Sequence, residues 1–241
     1  MLKPSNNFIK DLKKQKHKNG SLLFLDNIKI IKDALSSGLK PLYILVDDEK
    51  KDVFKATCPV YKVQRSVIEQ LADSKTPQGV VCIMEYTQDI VEVPKTNFLV
   101  LDGLQDPGNV GTLIRTAYAA GFNYVFLIDS VKATNSKLVR STVGALFHTK
   151  IFSLSRFEFI KFSKENNLQL IATDMEGENI FEFTSKGIIG LVVGNEGQGV
   201  CDEIMDLCSK RVKIPMKKGI ESLNASISGA IIMYQINKDN I

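Results

Sequence analysis

The feature that most limits the fold is an alternation that begins at Asn97. Five apolar runs, FLVLDGL, YVFLID, LQLIATD, GIIGLVVG and RVKIPM, are separated by helical or loop segments such as TLIRTAYAAG, SKLVRSTVGALF and FEFIKFSKENN. The runs are rich in Val, Ile and Leu. Strands that alternate with helices predict an α/β domain, a parallel sheet with helices on both faces, over 97–241. Ligands of such sheets bind at the carboxyl ends of the strands.

Residues 21–88 carry shorter units. NIKIIKDALSSGL has helical spacing and meets stop signals at Gly38 and Pro41. PLYILVD reads as a buried strand, SVIEQLAD as a short helix and GVVCIMEY as another strand. This predicts a small α/β module, joined to the larger domain by a polar linker over 89–96 that contains Pro94.

Charge is placed unevenly. Residues 1–90 hold 15 Lys and Arg against 11 Asp and Glu, while the other 151 residues hold 16 against 16. Six lysines face the single Asp11 in the first 20 residues, which reads as a basic N-terminal arm. A basic part of this kind suits an anionic polymer such as RNA and equally describes a solvated tail. No apolar run approaches the roughly 20 residues of a membrane span, and the basic start lacks the apolar stretch of a secretory signal. The four cysteines form no CxxC pair and have two histidines for company, which argues for reduced packing thiols, a cytoplasmic setting and no metal.

Three loops leave strand ends with unusual composition. In LDGLQDPGNVGTLIRT, Gly103 and Gly108 have the spacing of a phosphate-binding loop. Asn109 and Val110, however, stand where such a loop needs its Lys and its hydroxyl. GNEGQG, Gly194 to Gly199, is not the GxGxxG of dinucleotide folds and lies late in the chain. Its glycines permit close backbone approach to a ligand. Glu196 within it is either functional or a first-turn helix carboxylate. The third loop joins IPM, Ile214 to Met216, to ESLNAS, where Ser222 or Asn224 can cap a helix. Ser226, Ser228, Gly229 and Ala230 leave one side of that helix small, which suits tight packing.

Taken together, Asn109 with Arg115, then GNEGQG, then IPM with ESLNAS resemble the three signature motifs of the SpoU/TrmH family, RNA ribose 2′-O-methyltransferases of the SPOUT superfamily. The resemblance covers about 140 residues and implies a C-terminal trefoil knot, a rare exception to the rule that chains do not thread loops. More weakly, 21–88 is similar to the family's small substrate-binding domain. By resemblance the knot is the S-adenosylmethionine pocket, with Gly194, Ile214, Met216 and Leu223 on the cofactor. Arg115, Asn109, Glu196, Ser222 and Asn224 would form the catalytic set, and no metal is required. The family proposal makes Arg115 the base. Free arginine titrates at about 12.5 or above, so a role in orienting the target phosphate and assisting proton removal is preferred. The resemblance also implies a homodimer in which Arg115 reaches the partner's pocket. The two-domain layout favours rRNA as the substrate by analogy, with tRNA, or RNA binding without catalysis, as alternatives.

Overall fold

Residues 2–17, 20–50, 57–184, 186–220 and 222–239 are described in a computed structural model of the chain. In chain order the elements begin with α1 (Asn6–His17), β1 (Leu22–Leu25), α2 (Ile28–Ser36), β2 (Pro41–Asp47), β3 (Val60–Val63), α3 (Arg65–Leu71) and β4 (Val80–Glu85). There follow β5 (Phe98–Asp102), α4 (Pro107–Ala119), β6 (Tyr124–Ile128), α5 (Ser136–Thr142), β7 (Lys150–Leu154) and α6 (Arg156–Glu165). The chain ends with β8 (Leu170–Asn179), β9 (Gly190–Gly194), α7 (Asp202–Met205), β10 (Cys208–Lys213) and α8 (Ala225–Ile236). Backbone contacts group 1–87 with 134–147 as one unit, and 88–133 with 148–241 as the other.

In the smaller unit the strands run β1-β4-β2-β3, with β4 antiparallel to both neighbours and β3 parallel to β2. The helical pattern of residues 27–39 becomes α2, started by Asn27, whose side chain accepts the N–H groups of Lys29 and Ile30. The N-terminal residues differ from the arm expected of 1–20. Residues 6–17 form α1, whose Ile9 and Leu12 are buried against Ile68 and Leu71 of α3 and the apolar strands. Phe8 meets Tyr43 and Tyr61 edge-on and tilted, both at 5.0 Å between ring centres. Burial of that apolar stripe outweighs the repulsion among the lysines, of which Lys16 pairs with Asp73 at 2.9 Å. The segment 134–147, which the sequence reading assigned to 97–241, groups with the smaller unit instead, and α5 within it packs on β1.

In the larger unit six strands run β10-β8-β9-β5-β6-β7, and every pairing is parallel. The five apolar runs supply five of them. The sixth, β7 (KIFSL), escapes a reading by apolar continuity because it is an edge strand with Lys150 and Ser153 turned to solvent. RVKIPM divides: β10 ends at Lys213, and Ile214 to Met216 lie beyond the strand. On one side of the sheet Phe98, Phe126, Phe152 and Phe159 interlock, with ring centres 5.0 to 5.7 Å apart. On the other side α4 packs against α8, where a methyl placed on Gly229 would lie 2.4 Å from a Leu113 methyl. The small side of α8 thus serves helix packing. No helix of the described residues is long and apolar enough to cross a membrane.

Burial pushes the thiols of Cys82 and Cys208 up to about 12 and that of Cys201 to about 11, and raises Cys58 as well. Alkylation needs the thiolate, which at pH 8 is only about one part in a thousand for a thiol titrating near 11. Iodoacetamide at pH 8 is therefore expected to label Cys82, Cys201 and Cys208 of the native chain very slowly and all four cysteines readily in denaturant. Mass spectrometry of the adducts checks this, and rapid native labelling of Cys201 or Cys208 would contradict it.

Candidate active site

The carboxyl ends of β9 and β10, with Thr173 to Met175 of β8, open into a cleft of about 790 Å³. Such a volume lies within the range of small-molecule sites. The turn after β9 closes on itself, since Asn195 and Gly199 exchange backbone hydrogen bonds of 3.0 and 2.8 Å. The Asn195 side chain accepts the N–H groups of Gly197 and Gln198. A methyl on Gly194 would sit 2.1 Å from the Gly199 carbonyl carbon, so only glycine lets this turn fold back over the strand. Glu196 lies in the turn and not in a helix, because the next helix, α7, begins at Asp202. The first-turn reading of this carboxylate is thereby excluded.

Four of the five polar residues singled out in the sequence gather at this end of the sheet. Asp106 caps α4 by accepting the Asn109 N–H at 2.8 Å, and Pro107 opens the helix. That cap aims the Asn109 side chain across to β9, where its Nδ2 donates to Glu196 Oε1 at 2.6 Å. Asn109 Oδ1 accepts from Asn224 Nδ2 at 3.0 Å. Asn224 is in turn the N-cap of α8, accepting the N–H groups of Ser226 and Ile227, which decides between the two cap candidates. One chain of hydrogen bonds therefore joins all three loops, and Ser222 lines the cleft beside it. The expected cofactor residues Gly194, Ile214, Met216 and Leu223 also line the cleft. Arg115 is placed differently. It lies on the exposed side of α4, and among the described residues its side chain has no hydrogen bond or ion pair.

The sequence reading missed a second layer. Asp102, 1% exposed at the end of β5, accepts the Cys201 N–H at 2.8 Å and Arg156 Nε at 2.9 Å. Asn195 Nδ2 donates to the Gly103 carbonyl at 3.0 Å. These bonds pin the GNEGQG turn to β5 at both of its ends and so set where Glu196 stands. The hydrogen bond to Asp102 raises the Arg156 guanidinium above its ordinary value. The only signal in the sequence was a carboxylate ending an apolar strand, a position where a buried charge demands a partner. Its partner is 54 residues away, beyond any local pattern.

The cleft suits a flat, partly apolar cofactor. Val193, Ile214, Met216 and Leu223 offer apolar walls, while Gly194 and Gly199 border it without side chains. Residues 96–234 match the model of the SpoU rRNA Methylase family. The chain is 28% identical over 228 residues to the 23S rRNA (guanosine(2553)-2′-O)-methyltransferase RlmP of Bacillus subtilis, covering 93% of this chain and 91% of that protein. It is 30% identical over 188 residues to the 23S rRNA (guanosine-2′-O-)-methyltransferase RlmB of Bordetella pertussis, covering 73% and 76%. Among solved structures, the AdoMet-bound rRNA methyltransferase of Sinorhizobium meliloti superposes with a TM-score of 0.87 at 24% identity, over 100% of this chain and 98% of that one. The SpoU methyltransferase AviRb of Streptomyces viridochromogenes, in complex with AdoMet, gives 0.87 at 21% identity over 98% of each chain. With the motif order, the parallel sheet and a family match over more than half of its length, the chain belongs to the SpoU rRNA methylase family.

Proposed function

We propose that this protein methylates a ribose 2′-hydroxyl of large-subunit ribosomal RNA, with S-adenosylmethionine as donor. The observation that carries the reading is the hydrogen-bonded chain Glu196–Asn109–Asn224 at the mouth of the cleft, in a member of this family. The relatives named for guanosine methylation of 23S rRNA favour rRNA over tRNA as the substrate. When bound, S-adenosylmethionine supplies an electrophilic methyl carbon to which the ribose oxygen bonds as the carbon–sulfur bond breaks.

The chain's own residues supply position and proton handling. Gly194, Ile214, Met216 and Leu223 would hold the cofactor, in the walls of a trefoil knot formed by the C-terminal segment. Glu196 holds Asn109 and, through it, Asn224, so that the amides are fixed before RNA arrives and lose little freedom on binding. Ser222 and Asn224 would contact the ribose. Arg115 would grip the phosphate of the target nucleotide with its planar fork and assist departure of the hydroxyl proton.

The reading includes a cytoplasmic homodimer. An arginine with no partner among the described residues suits a pocket on a second copy. The exposed apolar residues Ile227 and Tyr234 of α8 and Tyr118 of α4 suit burial against one.

The test is transfer of tritiated methyl from S-adenosylmethionine to total RNA of a strain lacking the protein. Label in the large rRNA, at one ribose resistant to alkaline cleavage on its 3′ side, is the expected result. Label confined to tRNA would refute the substrate assignment. No label in any RNA, with the cofactor bound, would make this a binding protein and not an enzyme.

A further inference from the structure

Beside the loop that follows β5 stands a ledge that the reaction as described does not use. It is built from three strand ends zipped together. Leu104 donates its N–H to Ser130 Oγ at 2.9 Å, Val131 donates its own to the Leu104 carbonyl at 2.9 Å, and Gln105 Nε2 donates to the Asp129 carbonyl at 2.8 Å. The Arg156 N–H then reaches Asp129 Oδ2 at 3.3 Å. Adjacent strands lie about 4.8 Å apart, so the end of β7 is roughly 10 Å from that of β5.

Two neighbouring side chains at the end of β7 face outward. Phe157 is 77% exposed, an unusual position for a phenyl ring, in a first turn held by the Ser155–Glu158 capping box. The Arg156 side chain is 40% exposed, and its Nε is tied to buried Asp102. Its Nη2 lies 3.2 Å from where a side chain on Gly103 would begin, which is possible because Gly103, at φ +71°, has none. The guanidinium is thus held against the loop that follows β5, partly open to solvent and tied to its buried counter-charge. Exposed Asp129 accepts the Arg156 N–H, so local attraction for a phosphate comes from the guanidinium itself and not from net charge.

We propose that Arg156 and Phe157 form a subsite for a nucleotide flanking the methylated one, the guanidinium holding its phosphate and the phenyl ring stacking on its base. The inference rests on the RNA methyltransferase reading and names a specificity contact of the same site. A planar fork and an aromatic face next to each other are the two groups that single-stranded RNA engages without a duplex. Base–aromatic stacking removed by alanine costs affinities that correspond to roughly 5- to 150-fold.

The experiment uses the full chain, S-adenosylmethionine and 23S rRNA from a strain lacking the protein. Phe157→Ala is expected to raise KM for RNA about 10-fold while cofactor affinity by calorimetry and the melting temperature stay as in wild type. Phe157→Trp should restore KM, which a merely structural ring would not require. Arg156→Lys should raise KM for RNA several-fold through loss of the fork. Wild-type transfer with an unchanged KM in Phe157→Ala overturns the subsite. No transfer by wild type overturns the reading beneath it.

Discussion

Arg115→Ala is expected to lower methyl transfer by about 10²- to 10³-fold while leaving the cofactor affinity and the melting temperature where they are. The asymmetry follows from its surroundings. Arg115 is exposed on α4, and its side chain makes no hydrogen bond or ion pair among the described residues. Its removal therefore breaks nothing in the fold, and surface substitutions of that kind change stability by about 0.5 kcal/mol or less. A side chain so placed earns its keep only when substrate is present. Arg115→Lys should recover little, because a point charge does not reproduce a two-pronged grip on phosphate. Single-turnover transfer of labelled methyl, with calorimetric binding of S-adenosylmethionine alongside, measures both halves. Retention of more than a tenth of wild-type turnover in Arg115→Ala would remove this residue from the catalytic set.

Gly194→Ala should do the opposite and fail before chemistry begins. The added methyl would meet the Gly199 carbonyl carbon at 2.1 Å, the Val200 nitrogen at 2.2 Å and the Gly199 oxygen at 2.3 Å. These are backbone atoms of a turn that is bonded to itself and pinned to β5 through Asp102, so they cannot swing aside as a side chain would. Overpacking costs about 1–3 kcal/mol even where side chains can yield. A value of about 3 kcal/mol, or a fall of roughly 6–12 °C in the melting of the larger unit, is the expectation here. Cofactor binding should be lost with it, since the turn borders the cleft. Gly197→Ala is the control from the same turn, because its methyl would meet only Asn195 Oδ1, at an ordinary 3.5 Å. Equal melting and equal cofactor affinity in wild type and Gly194→Ala would show that the turn has slack that these distances deny.

What was legible in the sequence divides along the distance over which residues act. Continuous apolar runs announced β5, β6, β8 and β9, because a strand covered on both faces has no other composition available. The edge strand β7 was silent, since one wet flank admits Lys150 and Ser153. Asn109, Glu196 and Asn224 were singled out because they sit in recognisable loops, yet their hydrogen bonds, across 87 and 115 residues, could not be read from spacing. The Asp102–Arg156 pair was missed altogether, as neither residue lies in a pattern that calls for the other. The N-terminal arm was misjudged because six lysines dominate its composition, whereas Ile9 and Leu12, three apart, decide its structure.

The grouping of 134–147 with residues 1–87 has a consequence for how this chain can be made and cut. The chain passes out of the larger unit after Ala133 and returns to it at His148, so the units are laced by three crossings and not strung on one linker. On the ribosome the smaller unit stays unfinished until Phe147 has emerged, by which time β5 and β6 are already waiting for partners. A gene truncated at the 88–96 linker would yield neither unit whole: one fragment would lack the helix that packs on β1, and the other would carry that helix without its seat. Exchange of the smaller unit between relatives therefore requires grafting two segments at once.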